Sequence, residues 1–201
     1  MPIVKRERTL VIIKPDGIQR TLIGEIIRRY ERVGLKLIGL KMVIPTMEQA
    51  KAHYLVNPDF PKNVGNKTKK AYEAAGKEFP FGSIEEFGLG VLDKNAKYFS
   101  SGPVVVMAWQ GLSAVSLVRK LTGSTEPISS DVGTIRGDFT LDSYAMSDSS
   151  ERSIRNLVHA SGDTVEAEKE LALWFSAEEL LNYRLIADEI LYDVNLDGIL
   201  E

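Results

Sequence analysis

Ile154-Arg155-Asn156-Leu157-Val158-His159-Ala160-Ser161 is the stretch on which the reading of the chain turns. Ile154, then Leu157-Val158, form a short apolar run that reads as a strand carrying His159 out at its end. Asp163 and Glu166 follow at the spacing of a capping box, aspartate replacing the usual Ser or Thr, and open a helical pattern that contains Glu170. The chain has only two histidines in 201 residues. A histidine fixed at a strand end beside a carboxylate suits nucleophilic catalysis, because imidazole is largely neutral near pH 7 and a carboxylate can set its tautomer and orientation. The plain alternative is a histidine that fills a hydrogen-bonding niche.

Working outward, the other elements decide the fold. Thr9-Leu10-Val11-Ile12-Ile13-Lys14 reads as a buried strand stopped by the turn Pro15-Asp16-Gly17. Leu22, Ile23, Ile26, Ile27, Tyr30 and Val33 recur at helical spacing, with Gly34 placed as a C-terminal cap. Leu35 to Ile44 is a second strand, and a short helix spans Met47 to Tyr54. Val104 to Trp109 is a third strand, followed by a helix through Leu112, Val115, Val118 and Leu121. The stretch from there to Asp138 reads as loop, and Ser176 with Glu179 reads as the start of a last helix. Residues 57–101, broken by Pro and Gly, read as an insertion of short helices and loops; Lys62, Lys67, Lys69 and Lys70 there suit a solvated face. Residues 140–152, rich in Ser and Asp, read as a second insertion. The remaining order is βαββαβ, an α+β sandwich of the ferredoxin-like kind: an antiparallel sheet with helices on one face, plus insertions. The expectation is one domain over 1–201, with an acidic tail over 184–201.

Composition narrows the function. With 25 basic against 28 acidic residues and a net charge of -3, no global basic field invites nucleic acid. Without cysteine there is no disulfide, thiolate nucleophile or zinc-thiolate site. The first eight residues lack the apolar core of a signal peptide, and no run reaches transmembrane length, so a cytoplasmic protein that spans no membrane is expected. Asp193, Asn195, Asp197 and Gly198 match half a calcium loop, but the glutamate required at its twelfth position is missing. No Walker A, dinucleotide-binding or HExxH pattern occurs. What remains is a set of phosphate-capable residues at element ends: Lys14, Arg119, Thr125, Arg136 and Asn156. Convergence of such groups on one histidine would make a phosphoryl-transfer site, which demands positioning and charge neutralisation above all.

Four segments add a resemblance. Residues 8–17 (Arg-Thr-Leu-Val-Ile-Ile-Lys-Pro-Asp-Gly), Gly102-Pro103-Val104-Val105, Gly133-Thr134-Ile135-Arg136-Gly137-Asp138-Phe139 and Asn156–Ser161 resemble, in order, the motifs of the nucleoside diphosphate kinase family. Leu171-Ala172-Leu173-Trp174-Phe175 continues the likeness, which covers roughly 7–56 and 101–183 apart from the second insertion. The form implied has one insertion after the site tyrosine, Tyr54, and another before the histidine strand. The resemblance implies transfer of the γ-phosphoryl group of a nucleoside triphosphate to a nucleoside diphosphate, by a ping-pong mechanism through phospho-His159, with Mg²⁺ on the nucleotide phosphates. It implies Lys14, Tyr54, Arg119, Thr125, Arg136 and Asn156 as nucleotide-binding residues. It also implies His159, Glu170 and Lys14 as catalytic residues, Glu170 orienting His159 with Ser161 in support, and a homo-oligomer of four or six copies. Two positions depart from the family. Gly162 stands where an aspartate is usual, the acid appearing one residue later as Asp163, and Val132 replaces a proline. The base-stacking aromatic falls where the first insertion begins, leaving Phe60, Phe79 and Phe81 as candidates. Two rivals remain: a catalytically silent nucleotide-binding scaffold, motivated by Gly162 and the insertions, and an RNA-binding sheet of the same strand order, which lacks its aromatic motif here.

Overall fold

The computed structural model describes residues 6–74 and 76–191; the half calcium loop from Asp193 onward lies outside them. Four strands, β1 (Arg6–Ile13), β2 (Lys36–Val43), β3 (Val104–Leu112) and β4 (Val158–Ala160), form one sheet in the order β2-β3-β1-β4, antiparallel throughout. That is the ferredoxin-like order. β1 lies inside the sheet, and Thr9 through Ile13 have no exposed surface. Its unbroken apolar run reflects burial on both sides: Val11 and Ile13 enter one core, Leu10 and Ile12 the other.

Of the helices, α1 (Pro15–Gln19) follows β1, α2 (Ile23–Glu31) leads to β2, and α3 (Met47–Tyr54), α4 (Phe60–Ala74) and α5 (Ile84–Phe99) fill the span up to β3. α6 (Ala114–Thr122), α7 (Ile135–Phe139) and α8 (Tyr144–Ser149) lie between β3 and β4, and α9 (Thr164–Trp174) and α10 (Asp188–Leu191) follow. The two crossover helices, α2 and α6, share one face, as the βαββαβ order demands. Tyr30 of α2 packs on Trp109 at 5.5 Å between ring centroids and meets Thr122 Oγ1 of α6 at 2.8 Å through its hydroxyl. The opposite face is covered as well, by Ala50 of α3, Ala96 and Phe99 of α5, and Leu171 and Trp174 of α9. Each large apolar side chain so buried contributes roughly 2 kcal/mol.

Several expectations are corrected. The turn expected after β1 winds into α1, for which Pro15 supplies the preset φ of a first helical position. Residues 57–101 hold two helices of 15 and 16 residues, not short pieces, and α5 is part of the core. Gly65 and Gly88, which look like breakers, are contact points between α4 and α5: a Cβ on either would overlap the Ile84 or the Pro61 carbonyl. The loop before Asp138 contains α7, and residues 140–152 contain α8. Ser176 and Glu179 do form a capping box, but on a single 3-10 turn, Ala177–Glu179. β4 is only three residues long because Leu157 has φ +65°, so the ladder starts at Val158 and His159 sits in mid-strand opposite Ile12.

Candidate active site

β4 holds His159 against β1, and α9 delivers Glu170 to it. Glu170 Oε1 lies 2.8 Å from His159 Nε2, and Oε2 accepts from Ser161 Oγ at 2.6 Å. Ser161 Oγ in turn accepts from the Leu10 backbone N–H at 3.1 Å. The central strand therefore anchors the hydroxyl, the hydroxyl anchors the carboxylate, and the carboxylate anchors the ring. Glu170 is 1% exposed, and burial pushes its carboxyl above the usual range, against the pull of His53 and Ser161. His159 is held well below its ordinary value, first by burial and then by Lys14, Arg136 and Arg119, with Glu166 pulling the other way. Its ring is thus neutral near pH 7, with the Nε2 proton directed at Glu170, and Nδ1 has no hydrogen-bond partner among the described residues.

The second histidine, His53 of α3, was not singled out by the sequence reading. Its ring meets that of His159 edge to face, 4.3 Å between centroids, and stacks on Phe99. Its Nδ1 accepts from Trp174 Nε1 at 3.3 Å, and burial lowers its pKa to about 3, so it is neutral. The one available signal was the scarcity of histidine. His53, His159 and Glu170 bring ligand atoms within 4.8 Å of one another, but Trp174 Nε1 already donates to His53 Nδ1, and Glu170 Oε1 and His159 Nε2 are already paired with each other.

In front of His159 lies a cavity of about 230 Å³. Lys14, Arg119, Arg136, Asn156 and His159 line it, together with Tyr54, Thr125 and Phe60. Every phosphate-capable residue expected from the sequence is therefore brought to one place, with Ser161 and Glu170 behind the ring. Phe60 packs against Tyr54 at 5.3 Å, whereas Phe79 and Phe81 gather with Phe87 and Tyr72 in a separate aromatic cluster between α4 and α5.

The cationic residues are held in different ways. Lys14 Nζ donates to Asn156 Oδ1 at 2.7 Å, and Asn156 Nδ2 donates to the Thr125 carbonyl at 2.8 Å. Lys14 N donates to the Leu157 carbonyl at 2.7 Å, and Leu157 N donates to Asp16 Oδ2 at 3.1 Å. Those two bonds hold Leu157 in its left-handed conformation, which otherwise costs about 1–2 kcal/mol for a residue with a side chain. Tyr98 donates its hydroxyl to Asp16, which ties α5 to the same corner. Arg136 is 8% exposed and laces two segments together: Nη1 donates to the Gly123 and Ser124 carbonyls at 2.9 Å each, Nε to Asn156 O at 3.1 Å and Nη2 to Val158 O at 2.6 Å. Burial lowers its pKa only to about 10, so it stays charged. Arg119 is exposed, and its guanidinium has no hydrogen-bond partner among the described residues.

This arrangement has counterparts. The family model for nucleoside diphosphate kinase matches residues 7–70 and 87–180. The chain belongs to the nucleoside diphosphate kinase family. A nucleoside diphosphate kinase of Pyrobaculum aerophilum is 42% identical over 179 residues, 87% of this chain and 98% of that one. Nucleoside diphosphate kinase B of Homo sapiens is 38% identical over 187 residues, 93% and 97% of the two chains. The crystal structure of an NDP kinase from Pyrobaculum aerophilum superposes with TM-score 0.83 at 40% identity, covering 89% of this chain and all of that one. A transition-state mimic of the Borrelia burgdorferi nucleoside-diphosphate kinase, with bound vanadate and ADP, gives TM-score 0.76 at 34% identity, covering 91% and 95%. Membership of this kinase family sets aside the silent scaffold and the RNA-binding sheet. The matched segments run further into 57–101 than the motifs do and leave 71–86 unmatched. At Gly162, where the family usually carries aspartate, the Glu166 carboxylate fills the space: Oε2 accepts from Gly162 N at 2.8 Å, where a Cβ would otherwise sit. Asp163 caps α9 by accepting from Val165 N and Glu166 N, so the expected capping box is made only on that side.

Proposed function

We propose that His159 is the phosphoryl acceptor of a ping-pong nucleoside diphosphate kinase cycle. Nδ1 attacks the γ-phosphorus of a nucleoside triphosphate. The Nδ1–P bond forms as the bond to the β,γ-bridging oxygen breaks, and the nucleoside diphosphate leaves with the electron pair. A second nucleoside diphosphate then attacks the phosphohistidine and leaves as the triphosphate. The observation that carries this reading is the 2.8 Å contact that occupies Nε2 with Glu170 and leaves Nδ1 free beside three cations. Lys14, Arg119 and Arg136 offset charge on the transferred group, Lys14 with Asn156 also reaches the sugar hydroxyls, and Glu170 stabilises the ring as it becomes cationic.

Mg²⁺ enters this proposal as part of the substrate. No carboxylate lines the cavity among the described residues, so the donor set suits a metal carried on the phosphates rather than one bound by the protein. No helix among the described residues is long and apolar enough to cross a membrane. A single kinase domain over 1–201 with two insertions, a cytoplasmic site of action and a homo-oligomer of four or six copies complete the proposal and rest on the family likeness.

The test is intact mass after brief exposure to Mg²⁺-ATP, then a chase with a different nucleoside diphosphate. One acid-labile phosphoryl group, lost on the chase, is expected; bound nucleotide without an adduct would overturn the mechanism. Glu170→Gln is expected to slow phosphorylation of His159 by on the order of 10²-fold or more, because a Gln amide can donate to Nε2 and place the ring proton on the attacking nitrogen. A variant phosphorylated at the normal rate in rapid-quench measurements would remove Glu170 from the mechanism.

Lys14 supports a pH prediction. Burial first, then the neighbouring Arg136, brings its pKa down to about 7, Asp16 pulling it up and Arg155 down. A bound polyphosphate favours the ammonium form and raises that value. Above pH 7 the free amine must therefore take up a proton on binding, and affinity falls as pH climbs through the alkaline range. Calorimetry at pH 8 in two buffers of different ionisation enthalpy is expected to show uptake approaching one proton, absent in Lys14→Arg, whose charge is permanent. Equal uptake in both proteins would assign the proton elsewhere.

A further inference from the structure

The cavity has a second, uncharged part that the phosphates do not need. Besides the cations, Tyr54, Phe60, Ile154, Asn95 and Ser153 line it. With the polyphosphate drawn to Lys14, Arg119 and Arg136, the sugar and base must meet these residues. Phe60 offers a π-face that accepts any base, so it gives little discrimination. Asn95 differs. Its Oδ1 accepts from Ser153 Oγ at 2.6 Å, which fixes the amide plane, and the two N–H groups of Nδ2 have no partner among the described residues.

Both residues are rigidly mounted. Asn95 lies on α5 between Leu92 and Ala96, which are buried. Ser153 is 8% exposed, and its carbonyl accepts from Arg152 Nη1 at 3.0 Å. The Arg152 guanidinium makes a two-pronged contact with Asp142, at 2.6 and 2.8 Å, and Asp142 also accepts from Arg155 N at 2.6 Å. Asn95 of α5 thus supplies the donor, and Ser153 with the Arg152–Asp142 pair supplies the clamp behind it.

We propose that Asn95, set by Ser153, reads the nucleotide base in this site, favouring bases that present a carbonyl oxygen to it (guanine and uracil) over those that present an amino group (adenine and cytosine). The inference rests on the nucleotide-site reading above. A fixed donor discriminates because an amino group set against it leaves polar groups unpaired, and an unpaired polar group in a closed site weakens binding more than a made hydrogen bond strengthens it.

The experiment charges the enzyme with phosphate, verifies the adduct by intact mass, and measures kcat/KM for discharge by ADP, CDP, GDP and UDP. GDP and UDP are expected to lead ADP and CDP by about 3- to 10-fold, the worth of one hydrogen bond. Asn95→Leu, of similar shape but with no donor, is expected to level the four. Asn95→Asp, an acceptor only, is expected to turn the order toward ADP and CDP, which a merely structural role would not do. A wild-type enzyme indifferent to the base would overturn the inference. So would the same order in all three proteins, or a uniform loss across the four acceptors in both variants. Failure of any adduct to form would instead overturn the phosphohistidine reading on which it rests, and that failure appears at the mass step.

Discussion

His159→Ala is expected to lose phosphoryl transfer by at least about 10⁴-fold while still binding nucleotide. The expected scale follows from what the residue supplies. Without the ring no nitrogen stands in front of the three cations, and the acid-labile adduct cannot form. The cations remain, because Lys14 is held by Asn156 and Arg136 by four backbone carbonyls, none of which involves the imidazole. Binding of a nucleoside triphosphate, measured by calorimetry, should therefore change by a few-fold at most. The truncation also leaves Glu170 buried with Ser161 as its one hydrogen-bond partner among the described residues and a neutral His53 at 3.8 Å. Relief of that isolated carboxylate by protonation should make the variant relatively more stable at low pH than the wild type, since its folded state then binds the extra proton. Turnover at the wild-type rate would place the nucleophile elsewhere.

Arg136→Ala is expected to damage the protein before it damages binding. Four carbonyl oxygens, on Gly123, Ser124, Asn156 and Val158, lose a charged donor together. Loss of such a buried network costs roughly 3–5 kcal/mol, which in a chain of this size lowers the Tm by about 10 °C. The loop carrying Thr125 and the strand carrying His159 would no longer be fixed to each other, so triphosphate affinity should fall more than nucleoside affinity. Arg136→Lys keeps the charge but has no planar fork, and should recover only part of the stability. A melting temperature unchanged in Arg136→Ala would show that the carbonyl contacts contribute nothing, and equal losses for nucleoside and triphosphate would separate the residue from the phosphates.

Much of the fold was legible because its signals are local. α3 has the expected limits, since Thr46 and Gln49 make a full capping box right after Pro45. β1 and β3 announce themselves as apolar runs, because both faces of each are buried. α4 and α5 were underestimated because glycine looks the same in sequence whether it breaks a helix or lets two helices touch, as Gly65 and Gly88 do. In the site, Glu170 was legible through the family resemblance, which implies a glutamate at its position, eleven residues after His159. His53 was not, because a histidine within a helix carries no mark of what its ring faces. Arg136 was placed among the phosphate ligands, but its partners lie 12 to 22 residues away, in loop segments and at the start of β4, and no periodicity records them. Asn95 was hidden for the same reason, its partner Ser153 being 58 residues distant.

The central position of β1 has a consequence for how the protein is made. Its two neighbours in the sheet, β3 and β4, are the last two strands among the described residues. While the polypeptide emerges from the ribosome, this strand must wait with both edges unpaired until residue 104 and then residue 158 appear. Lys14 is synthesised early, but its partners Asn156 and Leu157 arrive some 140 residues later. The proposed catalytic centre is thus a late product of translation, and a chain cut short before β4 would carry the lysine and an exposed strand edge prone to aggregation, but not His159.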